Sequence, residues 1–129
     1  SVGPVPLIRK PSVDGVDLDQ ELALIVSRKG EALWWSQAWT PKGATPHRVQ
    51  DFIGLRWLEF IHADDLENLL RFFATHTFGS TIYRYQSPRL NTLVIMQLAK
   101  IPYGEHWLCI GKPTIAETSL FGEGSEETA

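Results

Sequence analysis

His62, Asp64 and Asp65 place an imidazole and two carboxylates side by side, the groups that most often ligate metals or carry protons in catalysis. The same residues stand just before an apolar helical stripe, where each has a structural use. Asp64 is expected to cap free N–H groups of the first turn, with Glu67 reaching back in a capping box. Asp65 is expected to face water at the positive helix end, and His62 to bond backbone. Metal binding or acid–base catalysis is therefore the weaker reading of this cluster. Cys109 falls in the middle of the apolar run HWLCIG, where a buried thiol behaves as a small hydrophobe. Trp34, Trp35, Trp39, Trp57 and Trp107 offer faces for a planar ligand. Trp57 and Trp107 read as core, and one of Trp34 and Trp35 must point outward because neighbours on a strand face opposite sides. The chain has no phosphate-binding loop, nucleophile elbow or zinc-ligand spacing.

These residues need elements to position them. Leu66, Leu69, Leu70 and Phe73 recur at helical spacing after Asp64, and Gly79 is the expected stop. The preceding stretch, Phe52 to Ile61, is apolar at seven of ten positions and must line a core. Leu22 to Ser27 and Glu31 to Ser36 read as a hairpin turning at Arg28-Lys29-Gly30. Ser80 to Gln86, Thr92 to Ile101 and His106 to Gly111 read as three further strands, with turns at Ser87-Pro88-Arg89 and Pro102-Tyr103-Gly104-Glu105. Two strands, a helix, then three strands give an α+β class rather than βαβ units. Pro41, Gly43 and Pro46 predict an irregular segment before Phe52. Residues 1–20 read as an N-terminal arm, 21–115 as the folded unit, and the Gly-, Glu-, Ser- and Thr-rich 116–129 as a disordered tail.

Composition narrows the function. A length of 129 residues with 43% hydrophobic content suits one domain with one core. A formal charge of −3 leaves no basic footprint, so nucleic acid is not an expected partner. A single cysteine excludes an internal disulfide framework and a multi-cysteine metal site, which points to a reducing cytoplasm. The sequence holds no 18-residue apolar run, and direct membrane insertion is not expected.

Gly54, Trp57 and the run Phe60-Ile61-His62-Ala63-Asp64-Asp65 resemble the G-x-x-W-x-x-x-I-H-P-D-D signature of PAS sensor domains, with Ala63 in place of the usual proline. The resemblance extends over residues 20–113. It implies a five-stranded antiparallel sheet with helices over one face, often around a small-molecule pocket. Leu24, Val26, Val94, Met96, Leu98, Trp107 and Cys109 would then face the helices and that pocket, together with Trp57, Phe60, Leu69 and Phe73. Ala23, Ile25, Leu93, Ile95, Leu108 and Ile110 would lie on the outer face, beneath the arm or a second subunit, with homodimerisation or a protein partner expected there. By resemblance to haem-binding relatives, the imidazole of His76 near the helix end could ligate haem, but a histidine favoured by the negative helix end explains it as well. The N-C-R-F-L-Q motif of the flavin photosensors is absent. Neither haem nor covalent flavin is therefore expected, and the cofactor stays unnamed. Ser36 replaces the family's asparagine, and Gly111-Lys112-Pro113-Thr114-Ile115 lacks the acid of its D-I-T output motif. A non-catalytic sensory or interaction module is the leading expectation, with output through the outer face and arm. The alternative is a small cone-shaped isomerase or dehydratase with an Asp/His pair in a deep pocket, although such enzymes usually begin with long helices.

Overall fold

The computed structural model describes residues 7–40, 48–76, 78–87 and 92–113. Five strands, β1 (Leu22–Val26), β2 (Ala32–Trp35), β3 (Gly79–Ser87), β4 (Thr92–Tyr103) and β5 (His106–Pro113), form one antiparallel sheet in the order β2-β1-β5-β4-β3. Between β2 and β3 lie α1 (Val49–Phe52), the main helix α2 (Ala63–Ala74) and two 3₁₀ turns, Gln37–Trp39 and Arg56–Phe60. The architecture is the expected α+β one, a five-stranded antiparallel sheet with its helices over one face. The segment at Pro41, Gly43 and Pro46, the turn at Pro88-Arg89 and residues 114–129 lie outside the described residues.

The sheet has two apolar faces because its strands alternate between two sets of side chains. Leu24, Val26, Tyr83, Tyr85, Val94, Met96, Leu98, Trp107 and Cys109 turn inward against Trp39, Phe52, Trp57, Leu69 and Phe73. Ile25, Leu33 and Leu108 turn outward into a smaller cluster with Ile8, Val13, Trp34 and Tyr103. The arm therefore packs over the outer ends of β2, β1 and β5. The Ile8 amide bonds the Leu33 carbonyl at 3.0 Å, and Leu18 is buried in a 3₁₀ turn that Asp17 caps. Trp35 faces the inner cluster and Trp34 the outer one, while a shift in the β1–β2 register lets Leu33 and Trp34 share the outer side.

Two glycines make the close approaches possible. Gly54 has φ +70° and exchanges both backbone bonds with Ala32, at 2.7 and 3.0 Å, which fastens the segment before α2 to the edge of β2. Gly30 has φ +91°, and a Cβ there would stand 2.8 Å from Leu70 Cδ2. Its carbonyl accepts the Trp57 indole N–H at 2.7 Å, so the hairpin turn seats the tryptophan of the motif.

Several boundaries differ from the sequence reading, and two of them change a turn. α2 stops at Ala74, with Thr75 extended, and Gly79 opens β3 instead of ending the helix. β4 continues through Pro102 to Tyr103, leaving a loop of Gly104 and Glu105 with Gly104 at φ +62°. Pro102 fits because β3 has already ended opposite Lys100, so no strand lies on that side to need its missing N–H. No helix among the described residues is long and apolar enough to cross a membrane.

Candidate functional site

In the His62, Asp64 and Asp65 cluster it is His62 and Asp65 that hold α2 in place, and the roles of both carboxylates differ from the expectation. His62 is the residue before the helix, and its Nδ1 accepts the Asp64 N–H at 3.1 Å. The cap is thus His62, not Asp64, whose carboxylate is exposed and 4.0 Å from that ring nitrogen. The helix begins two residues before the start that an Asp64 cap implies, at Ala63, which moves the capping position back onto the histidine. Glu67 forms no capping box; it pairs with Arg71 one turn on, at 2.9 Å.

Asp65 does not face water. It accepts from the Arg84 amide at 2.8 Å, from Nε at 2.9 Å and from a terminal guanidinium nitrogen at 2.8 Å. Because β3 runs past the start of α2, the first-turn carboxylate meets an arginine rather than solvent. The Arg84 side-chain bonds hold the Asp65 carboxyl at a pKa of about 2, against an opposing push from burial. His62 and Asp65 are thus bonded to the backbone of α2 and to Arg84, and not to each other across a pocket. Among the described residues, no group of three histidine, cysteine or acidic side chains is placed to hold a metal.

The other end of α2 is held from within. Lys100 continues the inward alternation Val94-Met96-Leu98 and is buried. Its Nζ donates to the carbonyls of Phe72 and Thr75, the latter at 2.8 Å, and lies over the Trp107 ring at 4.1 Å and the Phe72 ring at 4.4 Å. Burial lowers its pKa. The Trp107 indole donates to the Phe73 carbonyl at 2.8 Å, and Arg28 lies 5.0 Å from the same ring. Arg28 also bonds Nδ1 of the exposed His76 at 2.9 Å. Lys100 and Trp107 thus complete carbonyls that the helix leaves open. Cys109 is wholly buried, and burial raises its pKa, so the thiol stays protonated.

The residues predicted to line a pocket come together. Leu24, Val26, Trp57, Leu69, Phe73, Val94, Met96, Leu98, Trp107 and Cys109 share the inner cluster, with Phe60 half-buried against it. Aromatic rings fill much of this interior. Phe52 lies 4.6 Å from Trp35, 6.0 Å from Trp39, 6.2 Å from Trp57 and 6.0 Å from Phe60, measured between ring centres. Tyr83 lies fully within the fold, and its hydroxyl has no hydrogen-bond partner among the described residues. Burial raises its pKa well above the usual phenol value, so the neutral O–H is retained. Tyr83, Arg84 and Lys100 were not singled out from the sequence. The alternation in STIYRYQ was the available signal for Tyr83, and the even spacing from Val94 for Lys100.

Of the outward residues, Ala23, Ile25 and Leu108 are buried, while Leu93, Ile95 and Ile110 are partly covered. Ser36 is buried as well. Its hydroxyl accepts the Ala23 amide at 3.1 Å and donates to the Glu21 carbonyl at 2.5 Å, bracing β1 against β2.

No protein-family model matches the chain, and comparison with curated proteins gives no relative. Among solved structures, the chain is similar to the PAS domain of an HTR-like protein from Haloarcula marismortui. That likeness has a TM-score of 0.49 and 16% identity, over 72% of this chain and 80% of the other.

Proposed function

We propose that this chain is a sensory, signal-transducing module without catalytic chemistry of its own. It takes up a small apolar or aromatic molecule with one hydrogen-bonding group and relays the change to the arm and outer sheet face. The Tyr83 hydroxyl carries the reading. A buried polar group without a partner costs about 1–3 kcal/mol, and such a group in an otherwise apolar interior suits a ligand that supplies the missing bond. The side chains around it are the aromatic and aliphatic ones that make small-molecule pockets. The acidic and imidazole groups nearest to a catalytic set are instead occupied in anchoring α2.

Native mass spectrometry of the purified protein should show a retained small molecule. Tyr83→Phe should weaken its binding at least tenfold without loss of thermal stability. A wild type that carries no ligand and binds none from an aromatic fragment set, together with a more stable Tyr83→Phe variant, overturns the reading.

Relay through the arm rests on the packing of Ile8 and Val13 over Ile25 and Leu108, which back directly onto β1 and β5. A ligand shifts the arm only if it binds two arrangements of it with different affinity. Ligand-dependent hydrogen-exchange changes are expected at residues 7–20, β1 and β5, and changes confined to residues beyond Pro113 would contradict this route. A second copy of the chain is assigned to the outer face beyond the arm, around Ile95 and Ile110. Ile95→Glu should then shift dimer toward monomer in sedimentation.

A further inference from the structure

A different surface carries an inference beyond the sensory reading. β3 is the last strand of the sheet, and both backbone groups of Arg84 turn away from β4: its N–H donates to Asp65 and its carbonyl accepts from His62. Backbone direction repeats every second residue in an antiparallel pair, so Ser80 and Ile82 also present one donor and one acceptor each to the open edge. Neither group has a hydrogen bond to any described residue. Exposed edges are commonly guarded by lysine, proline or a bulge. Gly79 to Tyr83 has none of these, and Ile82 is 64% exposed.

Beside this edge runs a groove of about 310 Å³ lined by Asn68, Arg71, Phe72 and Thr75 on one side and by Ser80 and Thr81 on the other. An edge strand flanked by a helix is the geometry in which extended peptides add to a sheet, main-chain bonds giving affinity and alternate side chains giving selectivity. The geometry points to the open edge of β3 at Ser80 and Ile82 as a docking site for an extended peptide segment bearing an acidic side chain. Alternate peptide residues enter the groove over Phe72, and the intervening ones lean on Ile82. Arg71 is the one charged residue among the described residues of the groove lining, and its exposed guanidinium, shared with Asn68 and Glu67, selects the acid. A second copy fits less well. Its β3 would bring its own α2 to the same side of the extended sheet, and the groove holds a few side chains, not a helix. Arg84 closes the edge beyond Tyr83, so the site reads a short segment.

A random heptapeptide library screened against the full chain tests this. Enriched peptides should share an Asp or Glu. Their affinity should fall at least tenfold on Ile82→Pro, which removes only an outward N–H and so keeps the β3–β4 ladder. Arg71→Glu should cause a similar fall, restored by a lysine in place of the peptide's acid. N-methylation of alternate peptide residues should abolish binding in one register and spare the other. The amide signals of Ser80 and Ile82 in wild type should shift on peptide addition, a readout independent of how the variants fold. No enrichment, peptides indifferent to N-methylation, unmoved Ser80 and Ile82 signals, or a wild-type dimer that Ile82→Pro dissociates would each overturn the proposal.

Discussion

The two ends of α2 are fastened by opposite means. At its start, His62 and the Asp65–Arg84 pair act near the surface, with side chains 19% and 39% exposed for the pair. There charge favours the fold, as the lowered Asp65 pKa records. At its end, Lys100 and Trp107 reach the last carbonyls from β4 and β5 inside the protein. There charge carries a desolvation penalty, recorded in the lowered Lys100 pKa, which the carbonyl bonds and ring faces must offset. The difference teaches that one helix can be tied to its neighbouring strand by an electrostatic clasp and to the sheet centre by packing. The first responds to acid and salt, the second to volume.

The largest test of this contrast is Lys100→Ala. It removes a buried stem and the donor to two carbonyls, and should cost about 2–4 kcal/mol in urea unfolding. Lys100→Met, which keeps the stem, should recover part of that loss. Equal losses in the two variants would show that charge, not packing, holds this end.

Asp65→Ala should cost about 1–2 kcal/mol, a range already reduced for solvent screening on the Arg84 side. Its pH dependence has a definite sign. Because the folded pKa of Asp65 lies below the ordinary 3.8, its contribution is full above that value and is lost as pH falls toward about 2. Wild type should therefore lose this increment in acid, while the variant shows a flatter profile over the same window. A parallel pair of profiles would detach the clasp from Asp65.

His62→Ala should cost about 0.5–1 kcal/mol as the loss of a cap. The smallest effect belongs to Asp64→Ala, which should change thermal stability by less than about 0.5 kcal/mol, since its exposed carboxylate is neither cap nor clasp. If Asp64→Ala proved costlier than Asp65→Ala, the two carboxylates would have to exchange roles.

That ordering separates what the sequence disclosed from what it withheld. The strands were legible because the continuous apolar run LALIVS, the aromatic and β-branched STIYRYQ and the apolar HWLCIG are local signals, and the helix stripe because Leu69 and Phe73 face the sheet at the spacing that pattern implies. Alternation along β4 and β5 divides their side chains into two sets, and it is the resemblance that implies which set turns inward. The roles of Asp64 and Asp65 are not legible in the chain because they depend on a capping position that lies two residues earlier and on Arg84 across the fold. Lys100 escaped notice because nothing near it in the chain says that its amine will meet a helix end. The outer-face cover was legible as a need, whereas the identity of the cover, Ile8 and Val13, lay in a segment without periodicity.

The strand order β2-β1-β5-β4-β3 also governs how the chain assembles. One hairpin, β1 with β2, and another, β3 with β4, have short local closures, but Leu22 must find Gly111 before the two halves join. β5 sits in the middle of the sheet and is the last of these five strands to leave the ribosome. Until it arrives, the inner edges of β1 and β4 stay unpaired beside apolar side chains, and distant pairings of this kind are slow. The nascent protein therefore has its interval of greatest aggregation risk just before residues 106–113 emerge, and a break within those residues would divide the sheet into two hairpins.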